Sequence, residues 1–522
     1  MSFSGDLVNA EDGKRKGLDG DLENDEDVKT PLIHQTNSWY SSSFRGIERG
    51  GSSNQVPGTT AEESSVNAIL FTLIVALGPL QYGFTNGYSS PTESSIMKDL
   101  NLTISEFSLF GSLSNAGAMI GAMVCGLLAD YIGRKGALVA ASIPNILGWI
   151  AICLAEDSSI LYLGRILTGL GVGIISFTVP VYIAEISPKH LRGGLGTINM
   201  LSITIGIFVV YLLGMFISWR HLAIAGAVPC SLLVLGLFLI PEAPRWLAKI
   251  GKDLDFEASL QVLRGLDSDV SIEATEIRSA MELNRQEPNI KLSELCQRRY
   301  AFPLTIGIGL LVLQQLTGIS GIMFYNTSIF KAAGISDAEV ASLGLAGVQV
   351  LMTGIIAWLM DKAGRRILLM ISSAGMAASL FLIGIAFYLK SHIPADTYLA
   401  SILALIGLLA CIISFSLGMG AIPWIIMSES YTRSTIKYLL HSILLLQILP
   451  INVKGIAGSV ATLANWSLSW AVTMSINLLL EWSKTGTFML YALFSALTLT
   501  FVVLFVPETK GRTLEEIEAS HR

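Results

Sequence analysis

The segment 126–136, GLLADYIGRKG, is the stretch from which the rest of this chain can be interpreted. An apolar run ends there beside one carboxylate, Asp130, and two cations, Arg134 and Lys135. A membrane helix that stops at the lipid surface, with basic residues at the headgroups, has this pattern. The pattern returns as DKAGRRI from Asp361. A second copy favours a duplicated half over a simple stop at the surface.

Another pair of related segments supports the duplication. PEAPRWL begins at Pro241, and PETKGRTL begins at Pro507. Each follows a series of apolar runs, so the chain is predicted to consist of two similar halves. Repeated halves are typical of membrane transporters, in which the substrate site lies near the midplane between the repeats.

The composition indicates a membrane protein. Of the 522 residues, 52% are hydrophobic and 14% are charged, whereas soluble domains have about 25% charged residues. Twelve apolar runs are long enough to cross a bilayer as helices. They begin near Val66, Phe107, Gly136, Ile160, Gly193, Leu222, Phe302, Val340, Ile367, Tyr398, Gly455 and Phe488. We therefore predict an all-α membrane protein with twelve transmembrane helices in two six-helix bundles.

The polar segments define the predicted domain organisation. The two bundles are expected at residues 66–240 and 300–507. Residues 241–299 are rich in charge and alternate apolar and polar side chains at helical spacing, which predicts a cytosolic helical linker. Residues 1–65 are acidic and have no apolar signal-peptide core, so they are expected to form a disordered cytosolic tail. Residues 508–522 are expected to form a short cytosolic C-terminal tail.

The distribution of basic residues predicts the orientation. Loops 133–136, 188–193 and 361–366 read GRKG, PKHLRG and DKAGRR, whereas the intervening short loops carry at most one Lys or Arg each. Basic loops remain on the cytosolic side of a membrane. We therefore expect these loops and both termini to face the cytosol. The side that carries these three loops is called the basic face below, and the other side is called the opposite face.

A third motif, PVYIAEISPKHLRGG, ends the fourth apolar run. Its Glu185 stands seven residues before Arg192. A carboxylate and a guanidinium at this separation can form a charge-assisted hydrogen bond across a helix end. Such a pair could hold two bundles together on one side of the membrane and break when they part. A merely solvated loop is the alternative.

Taken together, these motifs resemble those of the sugar porters of the major facilitator superfamily. The resemblance spans residues 66–517 and also includes QQLTGISGIMFYN at 314–326 and IPWIIMSE at 422–429. PEAPRWLAKIGK and GAIPW are most similar to the plant early-response-to-dehydration monosaccharide transporters. This resemblance implies two bundles that rock around a central hexose site. It also implies a place in the vacuolar membrane, with the plasma membrane as the alternative.

The resemblance also implies a sugar site. Amide side chains suit an uncharged polyol because each offers donors and an acceptor. Helix–helix hydrogen bonding is the alternative role for such amides. A tryptophan can place its flat face against sugar C–H groups, and for Trp466 contact with the sugar and packing both stay open. The implied residues are Gln314, Gln315, Ser320, Gln349, Trp424, Asn465 and Trp466.

A charge network at the basic face is implied as well. In the family such a network locks the state that is open to the outside. Carried over to this chain, its members are Asp130, Arg134, Lys135, Glu185, Arg192, Glu242, Arg245, Asp361, Arg365, Arg366, Glu429 and Lys454.

Several positions depart from the family pattern. Ser320 and Met200 stand where Asn and Gln are common, which leaves the preferred hexose open. Thr85, in YGFTNG, stands where proton-coupled members have Asp. The predicted spans have no Asp or Glu near a midplane, and Arg165 is expected to pair with carbonyls or polar groups. Because a proton symporter needs a titratable group that is reached from both sides, we predict facilitated diffusion, with proton-coupled sugar symport as the alternative.

The second half contains an unusual insertion. In the first half Pro188 and Arg192 follow Glu185 by three and seven residues. Joining Glu429 directly to Ile448 would place Pro450 and Lys454 at the same separations. The 18 residues 430–447 therefore interrupt the repeat. They are either a true loop extension or a retained intron, and in the second case the chain would be a defective splice form.

Other classes of protein find little support. The chain has no GxxxxGK[ST] phosphate loop, its six histidines are scattered, and it has no catalytic constellation. We therefore expect no enzyme activity, no cofactor and no metal. The net charge of −6 does not indicate nucleic-acid binding. The expected partners are a small-molecule sugar and the lipid bilayer, and the sequence does not specify an oligomeric state. A non-transporting sugar sensor with the same site is a second alternative.

Overall fold

A computed structural model describes residues 60–188, 191–265, 268–286, 298–392, 397–424 and 453–506. Within these ranges, side chains are described except at 60–65, 192–193, 280, 282–286, 298–305, 357–358, 360–362, 397 and 453–459. Regular structure in the described residues is helical throughout. The predicted insertion, 430–447, the predicted C-terminal tail, 508–522, and residues 1–59 of the predicted N-terminal tail lie outside the described residues.

The first half contains eight helices. They are α1 (Thr60–Val75), α2 (Leu77–Gly87), α3 (Ser89–Leu100), α4 (Ile104–Tyr131), α5 (Gly133–Cys153), α6 (Ser158–Ile186), α7 (Arg192–Gly214) and α8 (Trp219–Leu237). Together α1 and α2 make the first span, and α3 continues it beyond the opposite face. The first helix begins at Thr60, before the predicted start near Val66, because TAEESS contains no helix-breaking residue.

Three short helices follow, between the halves. They are α9 (Pro244–Lys249), α10 (Asp253–Arg264) and α11 (Ser271–Gln286). Pro244 is the first residue of α9. The N–H at this position has no acceptor within the helix, so a proline, which lacks an N–H, costs no hydrogen bond there. The side chain of Arg264 connects this segment to the first half, since it donates to the Ile186 carbonyl at 3.0 Å and to both carboxylate oxygens of Glu273 at 2.8 Å.

The second half contains the remaining helices. They are α12 (Arg298–Leu316), α13 (Ile319–Phe324), α14 (Asn326–Ala333), α15 (Ala338–Ala363), α16 (Arg365–His392), α17 (Thr397–Leu417), α18 (Val453–Trp482) and α19 (Lys484–Phe505). The seventh span, expected as one helix, is broken into α12, α13 and α14. Gly318 has a φ of 81°, a left-handed conformation that an α-helix cannot continue, and this ends α12.

Ten helical segments in the described part of the chain are long and apolar enough to cross a membrane. The two remaining predicted spans correspond to α12, whose apolar part is described over Ile306–Leu316, and to α18. The protein is therefore a multi-pass membrane protein built from helices, as predicted.

Small residues let the membrane helices approach one another closely. On α6, a Cβ added to Gly169 would lie 2.0 Å from the Ser114 carbonyl oxygen of α4. Any larger residue would force these helices apart, so glycine is required for this contact. The two halves meet along α4 and α18 and along α7 and α15.

Helix α4 begins at the opposite face with a capping box. The Thr103 hydroxyl accepts from the Glu106 N–H at 3.3 Å, and the Glu106 carboxylate accepts from the Thr103 N–H at 2.8 Å. Two N–H groups that the helix leaves unpaired are thereby satisfied. This cap fixes where the second span starts.

Candidate functional site

A continuous chain of polar side chains links α12, α13 and α18. Gln315 donates through Nε2 to Asn465 Oδ1 at 2.9 Å, and the Ser320 hydroxyl donates to Gln315 Oε1 at 2.5 Å. Ser469 in turn donates to the Ser320 hydroxyl at 3.1 Å. Three of the residues that the sequence assigned to sugar binding are thus in direct contact. Ser469 was missed, although it lies one helical turn after Asn465 and hence on the same face of α18.

Two further amides lie buried in the second half. Gln314 is 3% exposed and donates through Nε2 to the Met419 carbonyl, and Gln349 on α15 is 5% exposed. Neither Gln314 Oε1 nor Gln349 Oε1 has a hydrogen-bond partner in the part of the chain that the structure describes. A buried acceptor without a partner costs about 1–3 kcal/mol. Both oxygens are therefore suited to accept from hydroxyl groups of a ligand.

Trp466 connects the two halves. It is 2% exposed and packs against Ala118, Ala122 and Val172 of the first half. Its ring lies edge-on to the ring of Tyr82, with the centroids 5.5 Å apart. Packing is therefore one role of Trp466. Its Nε1 has no partner among the described residues, so a donor also remains for a ligand.

Trp424 lies at the end of a described segment, and no hydrogen bond links it to the other residues assigned to sugar binding within the described part of the chain. Its half-buried side chain follows α17, immediately before residues 425–452, which are outside the described part of the chain. Among the sequence-assigned sugar residues, the geometry therefore brings Gln315, Ser320 and Asn465 together most directly.

The opposite-face ends of the two halves are hydrogen-bonded to each other. The Tyr211 hydroxyl of α7 donates to the Met323 carbonyl at 2.9 Å, next to the break between α13 and α14. Asn115 on α4 donates to the Thr473 hydroxyl of α18 at 2.9 Å, and Asn477 donates to the Ser108 hydroxyl at 2.6 Å. These contacts close the path between the halves on that side.

At the basic face, Arg134 is the centre of a cluster of charges. Its guanidinium donates to Glu185 at 2.9 Å and lies 3.5 Å from Asp130. Lys249 on α9 lies 3.1 Å from the same Asp130 carboxylate. The side chains of Arg134 and Glu185 are only 10% and 13% exposed. Lys249 was not among the sequence-assigned residues, although it lies two residues after PEAPRWL, at the end of α9.

Glu242 holds the start of α5. One of its carboxylate oxygens accepts from the N–H groups of Arg134 at 3.0 Å and Ala243 at 2.9 Å. Both oxygens accept from the Lys135 N–H, at 3.1 and 3.2 Å, and Lys135 Nζ reaches the Ile240 carbonyl at 3.2 Å. Burial raises the pKa of the Glu242 carboxyl, and the backbone N–H groups partly oppose that rise.

Few of the remaining members of the predicted charge network have described contacts. Arg245 is half-buried at the second position of α9, and Arg365 is half-buried at the start of α16. Arg366 donates to the Val503 carbonyl at 2.8 Å. Four members have no described side chain; they are Arg192, Asp361, Glu429 and Lys454.

Arg165 lies inside the first bundle without a carboxylate partner among the described residues. It is fully buried and donates to the Thr85 carbonyl at 3.0 Å and to the Ser89 hydroxyl. Its guanidinium also lies 4.3 Å from the ring centroid of Phe110 and 5.0 Å from that of Tyr88. The prediction that Arg165 pairs with carbonyls and polar groups is confirmed.

The fold and the buried amides define a membrane transporter with two related halves and a polar site between its helices. The chain belongs to the sugar (and other) transporter family, whose model matches residues 71–520. The resemblance seen in the motifs is therefore confirmed.

Two relatives from Arabidopsis thaliana are similar over nearly the whole chain. Sugar transporter ERD6-like 6 is 53% identical over 499 residues, which cover 95% of this chain and 98% of that relative. Sugar transporter ERD6-like 7 is 45% identical over 450 residues, which cover 86% of this chain and 93% of that relative.

A solved structure supports the architecture. The major facilitator superfamily proton:xylose symporter XylE, bound to 6-bromo-6-deoxy-D-glucose, superposes with a TM-score of 0.72 at 26% identity. The match covers 88% of this chain and all of that chain (100%). The predicted twelve-helix major facilitator fold is thereby confirmed.

Proposed function

We propose that this chain carries a hexose across a membrane by alternating access, as a facilitated-diffusion transporter. The observation that carries the proposal is the chain of hydrogen bonds from Asn465 through Gln315 to Ser320, together with the buried acceptors of Gln314 and Gln349, which have no partner among the described residues. Uncharged donors and acceptors in a buried setting match the hydroxyl groups of a sugar. Membership of a sugar transporter family supports the same substrate class.

The site assignment rests on the same contacts. Gln314, Gln315, Gln349 and Asn465 would provide hydrogen bonds to sugar hydroxyls, with Ser469 added to the set that the sequence indicated. Trp466 of α18 would close the side of the site that faces the first half, because it already packs against Ala118 and Val172. Opening and closing of the bundles would then change the surroundings of the sugar on both sides of its ring.

Passive transport is favoured over proton coupling. Thr85 occupies the position at which the proton-coupled pattern has Asp, and its backbone carbonyl accepts from the buried Arg165. A symporter needs a titratable group that is reached from each side in turn. XylE, which is described as a proton:xylose symporter, provides the concrete alternative within the same fold.

We also propose that the charge cluster around Arg134 stabilises the state in which the basic face is closed. The buried ion pairs of Arg134 with Asp130 and Glu185 make the basic-face end of the first bundle rigid. A rigid end can dock against the second bundle, and the basic loops of that face predict a cytosolic orientation. The vacuolar membrane is the proposed location and the plasma membrane the alternative.

Uptake of radiolabelled glucose into vesicles that contain the full chain tests this function. We expect uptake that stops at equilibrium and does not change when the proton gradient is removed by an uncoupler. Accumulation that collapses with the uncoupler would establish symport instead. Glucose binding without uptake, in protein shown to be folded, would favour the sensor. An Asn465→Ala variant, which removes the partner of Gln315, provides the matched negative control.

A further inference from the structure

The helix that continues the first span makes two neighbouring contacts with the broken seventh span. On α3, Ser90 and Glu93 are three residues apart and therefore lie on one helix face. The Ser90 hydroxyl shares a hydrogen bond of 2.8 Å with the Thr327 hydroxyl and accepts from the Thr327 N–H at 3.1 Å. The Glu93 carboxylate accepts from the Ser328 hydroxyl. Two adjacent residues of α14 thus meet two residues of the other half.

This contact can exist only while the opposite face is closed. Helix α3 belongs to the first half and α14 to the second, so the hydrogen bond between Glu93 and Ser328 crosses the path between the halves. When the opposite face opens, the helices separate and the carboxylate becomes hydrated. A titratable group that is buried in one state and hydrated in the other couples the two states to proton binding.

We infer that Glu93 makes the opening of the opposite face depend on the proton concentration at that face. The inference rests on the alternating access proposed above, and it adds a regulatory residue that lies outside the sugar site and outside the charge cluster of the basic face. It requires no proton to cross the membrane, because Glu93 is reached from one side only.

The neighbouring elements carry several other charged or titratable side chains. They are Lys331 on α14, Tyr325 before α14, Tyr211 on α7, Arg165 on α6, Arg220 on α8 and Glu106 on α4. Arg165 donates its hydrogen bonds to the Thr85 carbonyl and the Ser89 hydroxyl. Arg220 forms an ion pair with Asp99 at 3.8 Å, and the Glu106 carboxylate caps the start of α4. Lys331 is the cation that acts on the charge of Glu93.

The direction of the effect follows from the surroundings. In this closed state, burial raises the pKa of the Glu93 carboxyl above its ordinary value of 4.5, while the Ser328 hydroxyl and Lys331 oppose the rise. The closed state therefore binds a proton more tightly than the open state. Closure is favoured fully below the ordinary pKa, and this advantage is lost as the pH rises through the raised pKa. Acid at the opposite face should hold that face closed.

A distance measurement on the full chain tests this inference without sugar. Spin labels are placed at Ser94→Cys and Ser336→Cys, two exposed positions on either side of the contact, in a chain whose five native cysteines are replaced. The population with the short distance is then followed from about pH 4 to about pH 7. We expect it to fall with rising pH, by at most about tenfold in the closed-to-open ratio for each pH unit, since one proton is involved.

Three variants separate Glu93 from other causes. Glu93→Gln should give a closed population that no longer changes with pH. Ser328→Ala removes a hydrogen bond that lowers the pKa of Glu93. The pH at which the closed population has fallen halfway should therefore move upward. Glu156→Gln removes an exposed carboxylate near the start of α6 and should leave the pH profile of the parent chain unchanged.

The outcomes are distinct. A parent chain without pH dependence, or a Glu93→Gln variant that keeps it, would overturn the inference. A downward move of the midpoint in Ser328→Ala would also contradict it. Because no sugar is present, failure of glucose transport would count against the proposed function and not against this pH dependence.

Discussion

Tyr325, just before α14, fills the space that Gly111 leaves on the surface of α4. A Cβ built on Gly111 would lie 2.9 Å from the Tyr325 hydroxyl oxygen and 3.6 Å from the ring carbon that bears it. The Tyr325 side chain is fully buried. The two residues belong to different halves, so this contact forms when the opposite face is closed.

Gly111→Ala is therefore expected to shift the protein toward the state with an open opposite face. The added methyl group collides with the hydroxyl oxygen at the end of a buried, rigid side chain, and overpacking of this kind costs about 1–3 kcal/mol. Such a cost changes the ratio of the two states by roughly 5- to 150-fold. Labelling of a cysteine placed at Thr327, which is buried against Ser90 of the first half, would report the opening.

The Tyr325→Phe exchange supplies the rescue for this prediction. In the double variant the nearest ring carbon stays at ordinary contact distance, so closure should return. Gly344→Ala is the matched control, because a Cβ there meets nothing within 4 Å. Equal labelling in the Gly111→Ala and Gly344→Ala variants would show that the added methyl group at position 111 does not shift the protein toward the open state.

Asn465→Ala is expected to weaken sugar binding. It leaves Gln315 Nε2 without its partner at 2.9 Å and disturbs the hydrogen bond from Ser320 to the same amide. Loss of one such hydrogen bond in a buried site corresponds to about 1–3 kcal/mol, or roughly 5- to 150-fold in affinity. The concentration of glucose at half-maximal uptake should rise accordingly.

Ser467→Ala, on the same helix, is the control for that measurement. The Ser467 hydroxyl donates within α18 to the Leu463 carbonyl at 2.8 Å, so its loss removes no contact between helices. If Ser467→Ala weakened uptake as much as Asn465→Ala, the assignment of the α18 amide to the sugar site would be wrong.

Glu242 should make the stability of the basic face depend on pH. Burial raises its pKa, so the folded state binds a proton more tightly than the unfolded state. The stabilising contribution is complete below the ordinary pKa of 4.5 and is lost as the pH rises through the raised pKa. Melting temperatures measured from about pH 4 to about pH 7 should fall for the parent chain and not for Glu242→Gln.

Glu242→Ala separates the charge from the hydrogen bonds. It leaves the N–H groups of Arg134 and Lys135 without their acceptor, and we expect a loss of about 1–3 kcal/mol at every pH. Glu339→Gln, at an exposed position in the first turn of α15, should have no effect on either measurement. A parent profile identical to that of Glu242→Gln would contradict the role assigned to burial.

Deletion of residues 430–447 tests the interrupted repeat. Bringing Glu429 next to Ile448 restores the spacing of Glu185 and Arg192, and it removes the closure entropy of a longer loop. We expect the shortened chain to express at a higher level and to take up more glucose. Unchanged expression and uptake would identify the segment as a tolerated loop extension.

Much of the fold could be predicted because the bilayer leaves few options. A run of about 20 apolar residues must form a helix to satisfy its backbone in lipid, and the copies at Asp130 and Asp361 revealed the two halves. The break of the seventh span was harder to predict. Its apolar run continues through Gly318, and only the left-handed φ of that residue ends α12.

The sequence by itself determined the class, the repeated halves and the residue types of the proposed sugar site, because periodicity, charge placement and short motifs are local properties. Tertiary structure alone decided which of those residues meet. Ser469 donates to Ser320, which in turn donates to Gln315, only because α18 packs beside α12 and α13, and Lys249 reaches Asp130 only because α9 folds back onto α4. Contacts of this kind depend on how distant helices pack, and no window along the chain contains both partners.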